Sequence, residues 1–262
     1  MPLEYMIFLL PRGGLEPRLP FHYSGLPRLS SREEEWARVL GRDSVLEDGG
    51  RFGEYRVVRF AGTCATKKPS GAKTVPTALL SYELWVKGGG NPPFACCFSP
   101  RYLAHGIMLM YSQATYGEPG RFSPRGLRKG DFQGMVELVL GRRGRVNWLA
   151  VRGVKAGGGM IRRMEVIGPG IHGMTVRCPR CGHEWEWLRA SLESPGVQIQ
   201  KMGFVLEALS WTLADWGGGQ LSSPLNPERE DLLRFLDILE KGLLSRSPGQ
   251  RTGGQGPGPG TS

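Results

Sequence analysis

Residues 135–151 read Met-Val-Glu-Leu-Val-Leu-Gly-Arg-Arg-Gly-Arg-Val-Asn-Trp-Leu-Ala-Val. Two apolar runs, Met135–Leu140 and Val146–Val151, flank a Gly-Arg-Arg-Gly-Arg insert, the pattern of a β-hairpin with a basic tip. Working outward, Tyr55–Phe60, Ala78–Val86, Gly106–Ser112, Met160–Ile167 and Met174–Cys178 also read as strands, broken by the glycine clusters at 88–90 and 157–159. Strands that follow one another without helices between them favour an antiparallel sheet or barrel over a parallel α/β sheet. The expected fold class is α+β, with an antiparallel β-rich central region and a helical C-terminal region.

The flanks complete that plan. Ser31 with Glu34 matches a capping box, Trp36, Val39 and Leu40 give an apolar face, and Gly41 is a stop. Met202, Val205, Leu206, Leu209, Leu213 and Trp216 recur at helical spacing before Gly217-Gly218-Gly219. Asn226-Pro227-Glu228 is a helix start, followed by the stripe Leu232, Phe235, Leu236, Leu239 and Leu243. The expected organisation is an extended arm over 1–29, a β-rich basic domain over 30–192, helices over 193–244 packed on it, and a disordered Gly/Pro-rich tail over 245–262. Both helical stripes read as core first and as a surface for a protein partner second. No repeat at a fixed period is visible.

Charge is unevenly spread. The chain has 262 residues and a formal net charge of +10. Residues 1–100 carry 13 basic and 10 acidic side chains, residues 164–262 carry 9 and 11, and residues 101–163 carry 12 and 3. Such a block attracts polyanions, nucleic acid foremost. The phosphate-contacting candidates are Arg121, Arg125, Arg128, Lys129, Arg142, Arg143 and Arg145, interleaved with Phe122, Phe132 and Trp148. Arginine binds phosphate bidentately, and aromatic rings stack on bases.

Residues 176–187 read Val-Arg-Cys-Pro-Arg-Cys-Gly-His-Glu-Trp-Glu-Trp. Cys178-Pro-Arg-Cys181-Gly resembles the zinc knuckle of the zinc-ribbon and treble-clef families. The resemblance covers about 12 residues, and the second Cys-x-x-Cys of a ribbon is missing. It implies a structural Zn2+ held by Cys178 and Cys181, with further ligands drawn from His183, Cys96, Cys97, Cys64 and His172, His183 and Cys96 being preferred.

Other chemistry finds little support. His-Glu-x-x-His, Gly-x-Ser-x-Gly, the zinc-deaminase pattern and a Walker loop do not occur. Asp131, Glu137 and Glu165 are the carboxylates on which a metal-dependent nuclease would draw. The apolar run Met6–Leu10 is too short for a signal-peptide core, and no run of about 18 apolar residues occurs. A cytoplasmic protein with reduced thiols and no membrane partner is expected. The expected function is nucleic-acid binding with a structural zinc. The alternatives are a metal-dependent nuclease, or a protein-interaction or viral structural protein docking through its C-terminal helices.

Overall fold

The structure, a computed structural model, describes residues 3–13, 16–24, 26–27, 29–66, 77–89, 92–156, 159–161, 164–168, 175–177, 184–186, 196–206, 209–214, 220–223 and 228–244. The first half contains β1 (Leu3–Leu9), β2 (Phe21–His22), α1 (Ser31–Ala37), β3 (Val45–Phe52), β4 (Tyr55–Ala65), β5 (Thr77–Lys87), β6 (Phe94–Phe98), α2 (Arg101–Tyr116) and β7 (Ser123–Pro124). The second contains α3 (Lys129–Gly141), β8 (Arg145–Arg152), β9 (Val154–Ala156), β10 (Gly159–Ile161), β11 (Met164–Ile167), β12 (Thr175–Arg177), β13 (Glu184–Glu186), β14 (Gln198–Leu206), β15 (Leu209–Ala214), β16 (Gln220–Ser223) and α4 (Arg229–Leu239), which runs into a π-helical turn. The fold is α+β, built on one large antiparallel sheet ordered β11-β8-β14-β15-β16-β1-β6-β5-β4-β3-β2.

The residues expected to form an arm contain β1, which lies between β6 and β16 at the middle of the sheet. Its side chains alternate between two cores. Tyr5 and Ile7 join one cluster with Trp85, Phe94, Leu149, Phe204 and Phe235. Met6 and Phe8 join the other with Phe60, Leu84, Leu103 and Ile107. The four β1 residues are at most 1% exposed. Two units share one element order about this strand, α1-β3-β4-β5-β6-α2 and α3-β8-β14-β15-β16-α4, the second with β9–β13 inserted between β8 and β14, and β6 and β16 are both antiparallel to β1. The helices of the first unit cover one sheet face, and those of the second cover the other.

Three expectations are corrected. Gly106–Ser112 and Met135–Leu140 lie in helices, not strands. In α2 the burial of every residue from Leu103 to Ser112 removes the polar stripe that marks a surface helix, leaving an apolar run that reads equally as a strand. The helical spacing over 202–216 is coincidental. Met202, Phe204 and Leu206 alternate into the core on β14, and Trp211 and Leu213 follow on β15. The cap of α1 is one residue earlier than expected: Glu33 N–H donates to Ser30 Oγ at 3.4 Å, and Ser30 N–H donates to Glu33 Oε2 at 2.8 Å. Among the described residues no helix is long and apolar enough to cross a membrane.

The chain must cross the sheet between the two units, because their helices lie on opposite faces. β7 does this by pairing with Phe8 and Leu9 of β1, beyond the residues that pair with β16. Arg125 N–H then donates to Ile7 O at 2.9 Å. Asp131 fixes the next turn, accepting from Arg128 N–H at 2.6 Å and pairing with Arg125 at 2.8 Å, with both side chains mostly buried.

His105 on α2 stacks on Trp36 of α1 with ring centroids 4.3 Å apart. Burial first, then the nearby Arg101 and Arg32 charges, lower its pKa from 6.5 to about 4, against the opposing pull of its bond with the Arg101 carbonyl. A depressed folded-state pKa means that the unfolded chain takes up the proton first as pH falls. This stabilisation is full above pH 6.5 and lost progressively down to about 4. Thermal unfolding across that window should show a fall in Tm that is weaker in His105→Phe, which keeps the stacked ring. Identical pH slopes in the two proteins would contradict the assignment.

Candidate nucleic-acid interface

The turn from α3 into β8 carries three of the expected arginines. Arg142 N–H donates to Leu138 O at 3.1 Å, Arg143 N–H to Leu140 O at 3.0 Å, and Gly144 N–H to Val139 O at 2.8 Å. Arg143 has φ +58°, in the left-handed region. Helices commonly end with glycine there, because a Cβ strains that conformation. Gly144 is needed for a different purpose: a Cβ on it would lie 2.7 Å from the Val205 carbonyl of β14. The left-handed position is held by an arginine, at a cost of about 1 kcal/mol. Arg142, Arg143 and Arg145 are all exposed. Arg142 lies 3.8 Å from Asp237, whereas Arg143 and Arg145 have no acidic partner among the described residues.

The remaining basic candidates gather at the other end of α3. A helix of 13 residues is about 20 Å long, so the structure makes two groups rather than one patch. Arg121 is paired with Glu118 at 2.7 Å and Arg125 with Asp131 at 2.8 Å. Arg128 is exposed at the start of α3, and Lys129 is its first residue.

Beside the Arg142–Arg145 turn lies the face of β8 and β14 turned away from α3. Val146 and Leu149 both point into the core although they are three residues apart. The register explains this: Phe204 pairs with Val146 and Gly203 with Trp148, so Asn147 is an extra residue on β8. That bulge turns Trp148 outward. A second irregularity, between Ile199 and Lys201, does the same for Lys201 on β14. Lys201 Nζ sits 5.1 Å from the Trp148 ring centroid. Trp148 lies among the arginines in the sequence, but no sequence period marks a bulge, and so the ring's orientation is not legible there.

The zinc-knuckle resemblance is not upheld. Among the described residues no group of three or more His, Cys, Asp or Glu side chains is placed to hold a metal ion. Cys96, the expected distant ligand, is wholly buried among apolar side chains, and Cys97 faces the opposite core. Cys178, Cys181 and His183 lie outside the described residues, as does His172; β12 and β13 pair on either side of 178–183. The nuclease carboxylates do not form such a group either, since Asp131 caps α3, Glu137 lies further along α3 and Glu165 lies on β11. On α4, Leu232, Phe235, Leu236 and Leu239 are core.

A cleft of about 420 Å³ opens between the β3–β4 hairpin, the end of β1 and the last turns of α2. Its guanidinium groups are already answered: Arg56 pairs with Glu16 at 3.2 Å and Asp48 at 3.1 Å, and Arg51 with Glu16 at 3.4 Å. The cleft thus offers a polyanion no unpaired arginine. No protein-family profile matches the chain, and no curated protein matches it.

Burial raises the thiol pKa of Cys97 to about 12 and that of Cys64 to about 11, and pushes Cys96 well up from its usual value. Iodoacetamide at pH 8 should leave Cys64, Cys96 and Cys97 unmodified in the folded protein and alkylate all three after denaturation, as read by peptide mass mapping. Rapid alkylation of Cys96 in the folded protein would contradict the core assignment.

Proposed function

We propose that the protein binds nucleic acid, with the exposed arginines of the α3–β8 turn contacting phosphate. One observation carries this reading. Arg143 occupies a left-handed position that glycine would fill with less strain, and its side chain is exposed between Arg142 and Arg145. Strain held at an exposed residue is characteristic of positions kept for function.

The chemistry fits a polyanion. Guanidinium groups form paired, charge-assisted hydrogen bonds to phosphate oxygens, and each neutralised phosphate releases condensed counterions. The surplus of 12 basic over 3 acidic residues across 101–163 provides the longer-range attraction that steers encounter. Arg121 and Arg125 act structurally in this scheme, because Glu118 and Asp131 already hold them.

Arg143→Gly separates stability from binding. The variant should gain roughly 0.5–1 kcal/mol in denaturant unfolding by relieving the left-handed strain. Its affinity for nucleic acid should fall, and the slope of log K against log salt should shrink by about 1. Unchanged affinity and slope in a stabilised Arg143→Gly protein would overturn the reading.

A further inference from the structure

We infer that the ligand is a single-stranded polynucleotide, and that one of its bases stacks on Trp148 at the outer face of β8 and β14; this rests on the nucleic-acid reading above. Trp148 has been turned out of the core by the extra residue Asn147. A Cβ on the paired Gly203 would lie 3.0 Å from Trp148 Cβ and 3.4 Å from its Cε3. Glycine at 203 therefore lets the indole settle against the sheet. The indole N–H has no acceptor among the described residues, so the bulge and Gly203, rather than a hydrogen bond, place the ring.

The surroundings suit an unpaired nucleotide. Arg145 and Arg152 lie on the same strand as Trp148, about 10 and 13 Å along it, and both are exposed. Ile167, the residue of β11 paired with Trp148, is 76% exposed and extends the apolar surface. Lys201 lies over the indole where a base would stack, and its flexible ammonium can move aside to a phosphate. Among the described residues Glu165 is the acidic residue on this face, opposite Ala150, and leaves the balance of Arg145, Arg152 and Lys201 positive. An aromatic ring that is partly exposed on a sheet face and flanked by cations binds bases that are free to leave their own stack. A duplex keeps its bases stacked inside, so it can use the arginines but not Trp148.

The test uses the full-length protein and fluorescence anisotropy with labelled 12-residue oligo-dT, oligo-rU and a 12-base-pair duplex, beside Trp148→Phe and Trp148→Leu. Parent protein should prefer the single strands. Trp148→Leu should weaken single-strand binding about 5- to 150-fold, the range that loss of one stacked base gives. Its duplex binding should be unchanged, and Trp148→Phe should retain most of the single-strand affinity. Preference between dT and rU would tell DNA from RNA, and either preference supports the proposal. Because Trp148→Leu can fail to fold, irradiation of the parent bound to a 5-iodouracil oligonucleotide gives a second readout, with the cross-link expected at Trp148. Equal, salt-sensitive binding of duplex and single strand, with no cross-link at Trp148, would overturn the inference and leave the phosphate-binding reading standing. Poly-glutamate competing as well as oligo-dT would overturn both readings, because it offers neither phosphate nor base. No salt-sensitive binding of any of the three would overturn both.

Discussion

The burial of β1 on both faces is the constraint on which the rest of the structure depends. A strand with neighbours on both edges and apolar side chains on both faces requires a cover above and a cover below. Tyr5 and Ile7 meet the α3–α4 side, and Met6 and Phe8 meet the α1–α2 side. Each unit of four strands and two helices buries one face, and β1 belongs to both cores. The chain therefore has to pass from one face to the other between α2 and α3. The β7 pairing and the buried Arg125–Asp131 pair hold that passage in place.

Consequences for the proposed site follow from that geometry. α3 and α4 pack on one face of β8, β14 and β15. Two register irregularities on the β8–β14 pair turn Trp148 and Lys201 onto the opposite face. The α3–β8 turn stands at one end of the same strand and adds Arg142, Arg143 and Arg145. Gly144 and Gly203 both serve close approaches to a neighbour. The first admits the Val205 carbonyl of β14, and the second makes room for an aromatic ring.

Parts of this were legible in the sequence, for identifiable reasons. β4, β5 and β8 were readable because apolar runs rich in β-branched or aromatic residues are bounded by turns. The cluster Arg142–Arg145 was readable as a basic turn, although it joins a helix to a strand and not two strands. α2 was not readable as a helix, since almost uniform burial erases its period. The β14–β15 pair imitated helical spacing because two alternating strands follow each other closely. β1 was hidden by the Pro/Gly-rich residues after it, which made the whole of 1–29 read as an arm. The doubled element order was invisible in the sequence, because packing demands the same pattern of buried and exposed positions in both units but not the same residues. The knuckle pattern showed the opposite failure: a local spacing suggested a metal, but Cys96, called on as the distant ligand, is committed to the core.

Hydrogen–deuterium exchange of the intact protein, with and without a 12-residue single-stranded oligonucleotide, tests the central claim most directly. Exchange should slow over residues 142–152 and 198–206, with α1, α2 and the Arg51–Arg56 cleft unchanged. Protection confined to the cleft, or no protection over 142–152 at saturating oligonucleotide, would contradict it.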